Sequence, residues 1–369
     1  MGNEQWYNIS NVESIDSPSL ILYKERVKNN IRQCVRTVKD VSLLRPHVKT
    51  NKIAEVCRMM MEEGISKFKC ATIAEAEMLG SIEAHDILLA YQPVGPKINR
   101  LLKIVKRYPN SQFSCLIDHV QAAEHISKIF HAFSSIINVY IDLNVGMNRT
   151  GITPANAEAL INSLKKFPEI HVAGFHVYDG QINNPDPVVR KKRSDEGFAQ
   201  VTELLNLVQE KYHQKMTIIA GGSTTFSAHA VREGVECSPG TFVFWDFGYK
   251  QMMPEAPFDY AVLILTRVIS IVDDKTITVD LGYKSVSSEN PQPRVHFLNA
   301  PDAVPAAHSE EHLVLEVPDS KRYSPGDVLY GVPRHICPTV ALYERITVAE
   351  GNSIVGEWKI IARDKKLEF

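Results

Sequence analysis

From about Ser17 to Asp246, short apolar runs alternate with longer stretches in which apolar residues recur three and four positions apart. "SLILY" predicts a strand and "KERVKNNIRQCVRTVKD" an amphipathic helix. "VSLLRPHVKT" predicts the next strand, and "KIAEVCRMMMEEG" a helix closed by Gly64. "KFKCA" precedes the helix "TIAEAEMLGS", with Thr72 placed as its N-cap. "DILLAY", "QFSCLI", "NVYIDLNVG", "HVAGFHVYDG" and "KMTIIAGGS" continue the series, most of them followed by helical patterns. Repeated strand–helix units require parallel strands with right-handed crossovers. About eight such units close a barrel. A doubly wound open sheet is the alternative, but no GxGxxG follows the first strand.

Past Asp246 the period changes. "YAVLILTRVISIVDDKTITVDLGY", "HLVLEV", "DVLYGV" and "SIVGEWKIIA" are strand-like and separated by Asp, Pro, Gly and Asn turns. The predicted class is α/β: a (β/α)8 TIM-like barrel over residues 17–246, followed by a C-terminal β domain over 247–369.

Composition narrows the setting. The chain has 369 residues, 44% hydrophobic and 23% charged, with a formal net charge of −2. That balance gives no reason to expect nucleic acid or an anionic membrane as partner. No apolar run approaches the roughly 18 residues of a membrane span, and the polar N-terminus is unlike a secretory signal. A cytoplasmic protein is expected. Six cysteines, at 34, 57, 70, 115, 237 and 337, form no CxxC pair. Reduced thiols are the default, and all but Cys337 read as small core residues. The basic run Arg190–Arg193 reads as a solvated helix start.

In a parallel barrel the chemistry sits just past the strand ends. Those positions hold Lys49, Arg149 and the Gly221–Thr225 run "GGSTT"; His176 and Tyr178, two apart, share one face of their strand. Glycines, serine and threonine in one turn suit a phosphate, although Gly-Gly-Ser is also a common tight turn. The turn lacks the lysine of a P-loop, which disfavours a nucleoside triphosphate. A lysine facing a phosphate turn across a barrel mouth points to pyridoxal phosphate held as a Schiff base. Downstream, "PRHICPTV" places His335 and Cys337 at i and i+2, on one side of an extended segment. Imidazole and thiolate both suit zinc; a core cysteine beside a loop histidine is the competing reading. "HSEEHL" adds carboxylates and a histidine that could support a metal, or it is a charged turn.

The pieces "RPHVKTNK", "VGMNRTG", "AGFHVYDGQ", "AGGSTT", "SPGTFVFWD", "SEEH" and "HICPTV" stand in one order along nearly the whole chain. Together they resemble the D-threonine aldolase/D-serine dehydratase family, which has the alanine racemase type of fold among the fold-type III pyridoxal phosphate enzymes. The resemblance implies pyridoxal 5'-phosphate as cofactor, and zinc, or manganese or another divalent ion, near it. It also implies a β domain completed by residues 1–16, and a homodimer acting on a small D-amino acid. Lys49 would carry the cofactor, with Arg45 and His47 as its barrel-end neighbours. Arg149 would lie near the cofactor's phenolic oxygen, and His176 and Tyr178 would line its ring. Gly222, Ser223 and Thr224, with Gly240 and Thr241, would hold the phosphate; His335 and Cys337 would hold the metal.

The chain departs from the family pattern at Asn51, Asp179 and Ala341, where His after "KT", "YHG" and "PTVN" are common. These departures bear on the substrate rather than on the cofactor. Dehydratase-like members tend to carry His-x-Cys and aldolase-like members His-x-Asp. The resemblance therefore implies dehydration of D-serine or D-threonine first and retro-aldol cleavage second. Amino-acid racemization and a non-catalytic pyridoxal phosphate carrier follow; carriers of that kind are usually a barrel alone.

Overall fold

The computed structural model describes residues 5–213 and 215–367. The outermost residues of the β domain delimited above, 1–4 and 368–369, lie outside the described residues. The chain divides into two compact units. One comprises Cys34–Lys49, Cys57–Gly240 and Asp364–Phe369; the other comprises Met1–Gln33, Thr50–Val56 and Thr241–Arg363.

Strands are numbered along the chain, and β1 is Ser19–Tyr23. The first unit carries β2 (Lys67–Cys70), β3 (Asp86–Leu89), β4 (Gln112–Ile117), β5 (Ile137–Leu143), β6 (Ile170–Val177), β7 (Thr217–Ala220) and β8 (Val235–Cys237). They form a seven-stranded sheet in sequential order, and every pair is parallel. Residues 44–48 supply the eighth stave. Arg45 N donates to Cys237 O at 2.9 Å and His47 N to Pro239 O at 2.9 Å on one side. On the other, Lys69 N donates to Pro46 O at 2.8 Å and Val48 N to Lys69 O at 2.9 Å. Pro46 has no N–H to give, so this stave makes isolated bridges rather than a regular ladder. The sheet is thereby closed. Among the connecting helices, Ile73–Ser81 is capped as expected, with Thr72 Oγ accepting from Glu75 N at 3.1 Å. Gly64 follows the helix Ala54–Glu62 with φ +89°, a conformation that favours glycine.

Two sequence expectations need correction here. The run "SLILY" is not a barrel strand. It is β1 of the second unit, antiparallel to β9 (Val262–Asp273) and parallel to β15 (Arg345–Glu350). Four of its five residues are buried. A continuous apolar run carries no mark of which sheet will bury it. The basic run is also not uniformly solvated: Lys191, Lys192 and Arg193 are exposed, whereas Arg190 is 3% exposed. The Arg190 guanidinium donates to Asn184 O and Pro185 O at 2.8 and 2.9 Å.

The second unit is strand-rich. Besides β1 and β9 it holds β10 (Thr276–Val279), β11 (Val295–Phe297), β12 (Val304–His308), β13 (Leu313–Glu316), β14 (Val328–Pro333), β15 and β16 (Ser353–Lys359). The main order is β12-β13-β10-β9-β1-β15-β16, with β14 on β9 and β11 on β14. Tyr7, Ile9 and Ile15 pack with Ile21, Tyr23 and Leu263 in one core cluster. The N-terminal segment is thus stitched to β1 and β9 by apolar burial, and Arg26 lies 3.7 Å over the Trp6 ring.

Candidate active site

Parallel strands bring the residues after each strand to one end of the barrel. Lys49 follows the closing stave, Arg149 follows β5, Tyr178 follows β6, Gly221–Thr224 follow β7, and Ser238–Gly240 follow β8. The amide of Lys49 donates to His47 Nδ1 at 3.3 Å. Arg45, expected as a neighbour of Lys49, is instead a fully buried pin. It donates twice to Asp86 at 2.7 Å and once to Glu236 at 2.6 Å, holding the closing stave to β3 and β8. Burial works against its charge, but these two carboxylates outweigh it and keep the guanidinium protonated.

The barrel interior holds a polar chain. His176, 4% exposed, donates from Nδ1 to Asp142 Oδ1 at 2.8 Å, because a carboxylate can only accept. Its Nε2 therefore faces Lys69 Nζ, 3.5 Å away. Burial lowers the imidazole's proton affinity further than Asp142 restores it, so the ring is neutral. Asp142 also accepts from Thr150 Oγ1 at 2.8 Å and Gln92 Nε2 at 2.9 Å. Burial alone would raise its pKa, but the His176, Thr150 and Gln92 hydrogen bonds prevail and hold the carboxyl below its usual range. Lys69 is 2% exposed. Burial, then the charge of Lys49, lowers its pKa to about 7.

One aromatic ring joins these parts. Arg149 sits 4.9 Å from the Tyr178 ring centroid and Lys69 Nζ 5.8 Å from it. A Cβ on Gly222 would lie 3.2 Å from the same ring, so only glycine lets the turn come this close without the ring yielding. Gly221 has φ +76°, and a Cβ there would meet His229 at 2.6 Å. Behind the turn, Asp179 accepts from Thr225 Oγ1 at 2.7 Å and His229 Nε2 at 2.9 Å. Arg232 donates to His229 Nδ1, which leaves the ring proton on Nε2 for Asp179. Burial opposes ionisation of Asp179, but His229 and Thr225 outweigh it and lower its pKa. The departure from "YHG" is thus built into a buried strut under the glycine turn. The two expected phosphate segments meet: Gly240 N donates to Ser223 Oγ at 3.4 Å. Ser238, 3% exposed, has a hydroxyl with no hydrogen-bond partner among the described residues, while its amide donates to Ala220 O at 3.2 Å. A close-approach glycine, a lysine and an arginine around one ring, with an unused hydroxyl past the next strand, fit pyridoxal phosphate.

The other expected site residues lie in the strand-rich unit. His335 is the N-cap of the short helix Ile336–Val340, which contains Cys337. The pair is therefore not on an extended segment as expected; the chain turns helical after His335. The two side chains still hydrogen-bond each other. His335 Nδ1 is 2.6 Å from Glu289 Oε1. Thr50 and Thr241 hydroxyls lie 3.1 and 3.5 Å from Cys337 Sγ. Thr241 thus accompanies Cys337. Imidazole and thiol in contact, with a carboxylate orienting the imidazole, fit two donors of an open site for a borderline-soft divalent ion. No group of three or more such side chains assembles among the described residues. The "SEEH" segment is a charged turn, with Lys284 paired to Glu310 and Glu311. His308 of β12 is bonded to Leu281 O and Arg294.

Sequence reasoning missed Lys69 and Asp142. A polar residue flanked by apolar ones in "KFKCA" and "VYIDLN", on a strand of a closed barrel, was the available signal. All six cysteines are free, and all but Cys337 are buried, as expected. No helix among the described residues is long and apolar enough to cross a membrane.

This fold is that of the fold-type III pyridoxal phosphate enzymes. Residues 23–246 match the family model described as alanine racemase, N-terminal domain, and the chain belongs to that family. Residues 261–349 match a putative serine dehydratase domain. The chain is 26% identical over 364 residues to the D-threonine aldolase of Arthrobacter sp., covering 95% of this chain and 93% of that protein. It is 23% identical over 375 residues to the D-threo-3-hydroxyaspartate dehydratase of Delftia sp. strain HT23, covering 94% and 97%. The crystal structure of D-threonine aldolase from Filomicrobium marinum superimposes with a TM-score of 0.88 at 23% identity, covering 95% and 96%.

Proposed function

We propose that the chain is a pyridoxal phosphate-dependent lyase of D-configured 3-hydroxy amino acids. Its preferred reaction is dehydration of D-serine or D-threonine to a 2-oxo acid and ammonia. The observation that carries the reading is the ring of functional groups around Tyr178: Arg149, Lys69 and the Gly221–Gly222 turn. Pyridoxal phosphate, when bound, supplies an electron sink for the negative charge that develops at the substrate Cα. Ser223 and Thr224, with the backbone around Gly222 and Gly240, would hold the phosphate. Lys49 Nζ would bond the cofactor at rest and, once free, would accept the Cα proton. The Cα–H electron pair becomes a Cα=Cβ bond as the Cβ–OH bond breaks, the hydroxide leaving as water with a proton; the enamine product tautomerises to an imine, which takes up water to give the 2-oxo acid and ammonia. His176, held neutral and oriented by Asp142, presents a fixed uncharged ring to Lys69. Arg149 keeps a cation at the pocket's edge for a developing oxyanion.

His335 and Cys337 would hold a divalent metal, which would supply a Lewis acid for a hydroxyl leaving group. The His-x-Cys pair favours dehydration; the relative named D-threonine aldolase favours cleavage to glycine and an aldehyde as the second reading. Incubation of cofactor- and zinc-loaded protein with D-serine and D-threonine separates them. Pyruvate and 2-oxobutyrate are expected. Glycine and acetaldehyde from D-threonine would replace the first reading by the second, and no product from either substrate would sink both.

A further inference from the structure

Lys69 is a buried amine without a counter-ion. It is 2% exposed, and no carboxylate lies within ion-pairing distance of its Nζ among the described residues; its polar neighbour is His176 Nε2, 3.5 Å away. Its position is rigid, because its amide and carbonyl both bond to the closing stave. From that stave, Lys49 and Arg45 act on it as like charges. Asp142 of β5 and Asp179, past β6, act from farther off as opposite charges, each already saturated by other donors. The residue paired with it on β3 is Leu88. A lone ammonium in such a place is costly, which agrees with the lowering to about 7. Yet this amine borders the Tyr178 ring on which Arg149 and Gly222 also border.

A phosphorylated cofactor would bring about two negative charges into this pocket. We propose that Lys69 is a charge-compensating residue that takes up a proton from solvent as the anionic cofactor enters and returns it when the cofactor leaves. The proposal rests on reading the pocket as a pyridoxal phosphate site. It gives Lys69 a role separate from Lys49: Lys49 bonds the cofactor, and Lys69 balances its charge through space.

The probe is pyridoxamine 5'-phosphate, which has no aldehyde and cannot link to Lys49. Its binding to cofactor-free protein is measured by titration calorimetry at pH 8 in Tris and in HEPES; the heats differ with the protons exchanged. Wild type is expected to take up about one proton more than Lys69→Met and Lys69→Arg, since arginine is already charged. The wild-type Kd should weaken about tenfold per pH unit above 7, and the Lys69→Arg value should stay flat there. Wild-type binding without proton uptake, or equal uptake by a folded Lys69 variant, overturns the proposal alone. Failure of wild type to bind the probe at all overturns the cofactor reading beneath it. The wild-type arm decides the matter even where Lys69→Met does not fold.

Discussion

Replacing Asp142 by Asn removes one charge while keeping the side chain's shape. In the native barrel this carboxylate accepts from His176, Thr150 and Gln92 at 2.8, 2.8 and 2.9 Å, and it is 4% exposed. An amide offers one acceptor oxygen and points an NH2 group at the remaining donors. At least one charge-assisted hydrogen bond is lost, worth about 1.5–3 kcal/mol, and a buried donor is left without a partner, costing about 1–3 kcal/mol. Asp142→Asn should therefore lower unfolding free energy by about 2.5–6 kcal/mol at pH 7. Urea unfolding of the cofactor-free protein, followed by circular dichroism, measures it. The pH arm has a definite sign. The carboxyl's pKa is depressed in the fold, so its contribution is present above the unfolded value near 3.9 and lost as pH falls through the folded one. The gap between wild type and variant should close in strong acid. Thr150 is also the chain neighbour of Arg149, so cofactor affinity should fall along with stability. A variant within about 0.5 kcal/mol of wild type, with unchanged cofactor affinity, would refute the assignment of Asp142 as the anchor of this polar chain.

Borohydride reduction of the cofactor-loaded protein should fix the cofactor to the peptide containing Lys49; reduction mapped to another lysine in Lys49→Ala would reassign the linkage. Thr224→Val should weaken cofactor binding by about 1–3 kcal/mol if its hydroxyl serves the phosphate; an unchanged dissociation constant with an intact fold argues against that contact. Arg45→Met should destabilise by about 3–5 kcal/mol, because Asp86 and Glu236 would face each other without their cation; a neutral result in thermal melts would show that Lys67 suffices. Chelation should abolish β-elimination while leaving the bound cofactor's absorbance in place, and full turnover of D-serine by metal-free protein would return His335 and Cys337 to a structural role.

Much of the molecule is written locally. Alternation of apolar runs with helical periods marked a parallel barrel, because each strand buried between helices must be apolar and each crossover helix must be amphipathic. The change of period after Asp246 marked the strand-rich unit in the same way. Strand ends could be read, and with them Lys49, Arg149, Tyr178 and the glycine turn, since parallel strands send all their ends to one side. Pairing partners were not legible. "SLILY" and "LLRPHV" are both short apolar runs, and only the fold puts the first between β9 and β15 and the second between β8 and β2. Nor does a local pattern say what a buried charge will meet. Arg45 stands four residues before Lys49, yet its partners Asp86 and Glu236 come from distant strands. Asp179 looks like a missing histidine until His229, fifty residues on, closes on it. Lys69 is one more lysine in a lysine-rich run until the barrel closes around it and leaves it without a carboxylate partner among the described residues. Periodicity is a property of neighbours along the chain, but the free energy of a charge depends on neighbours through space.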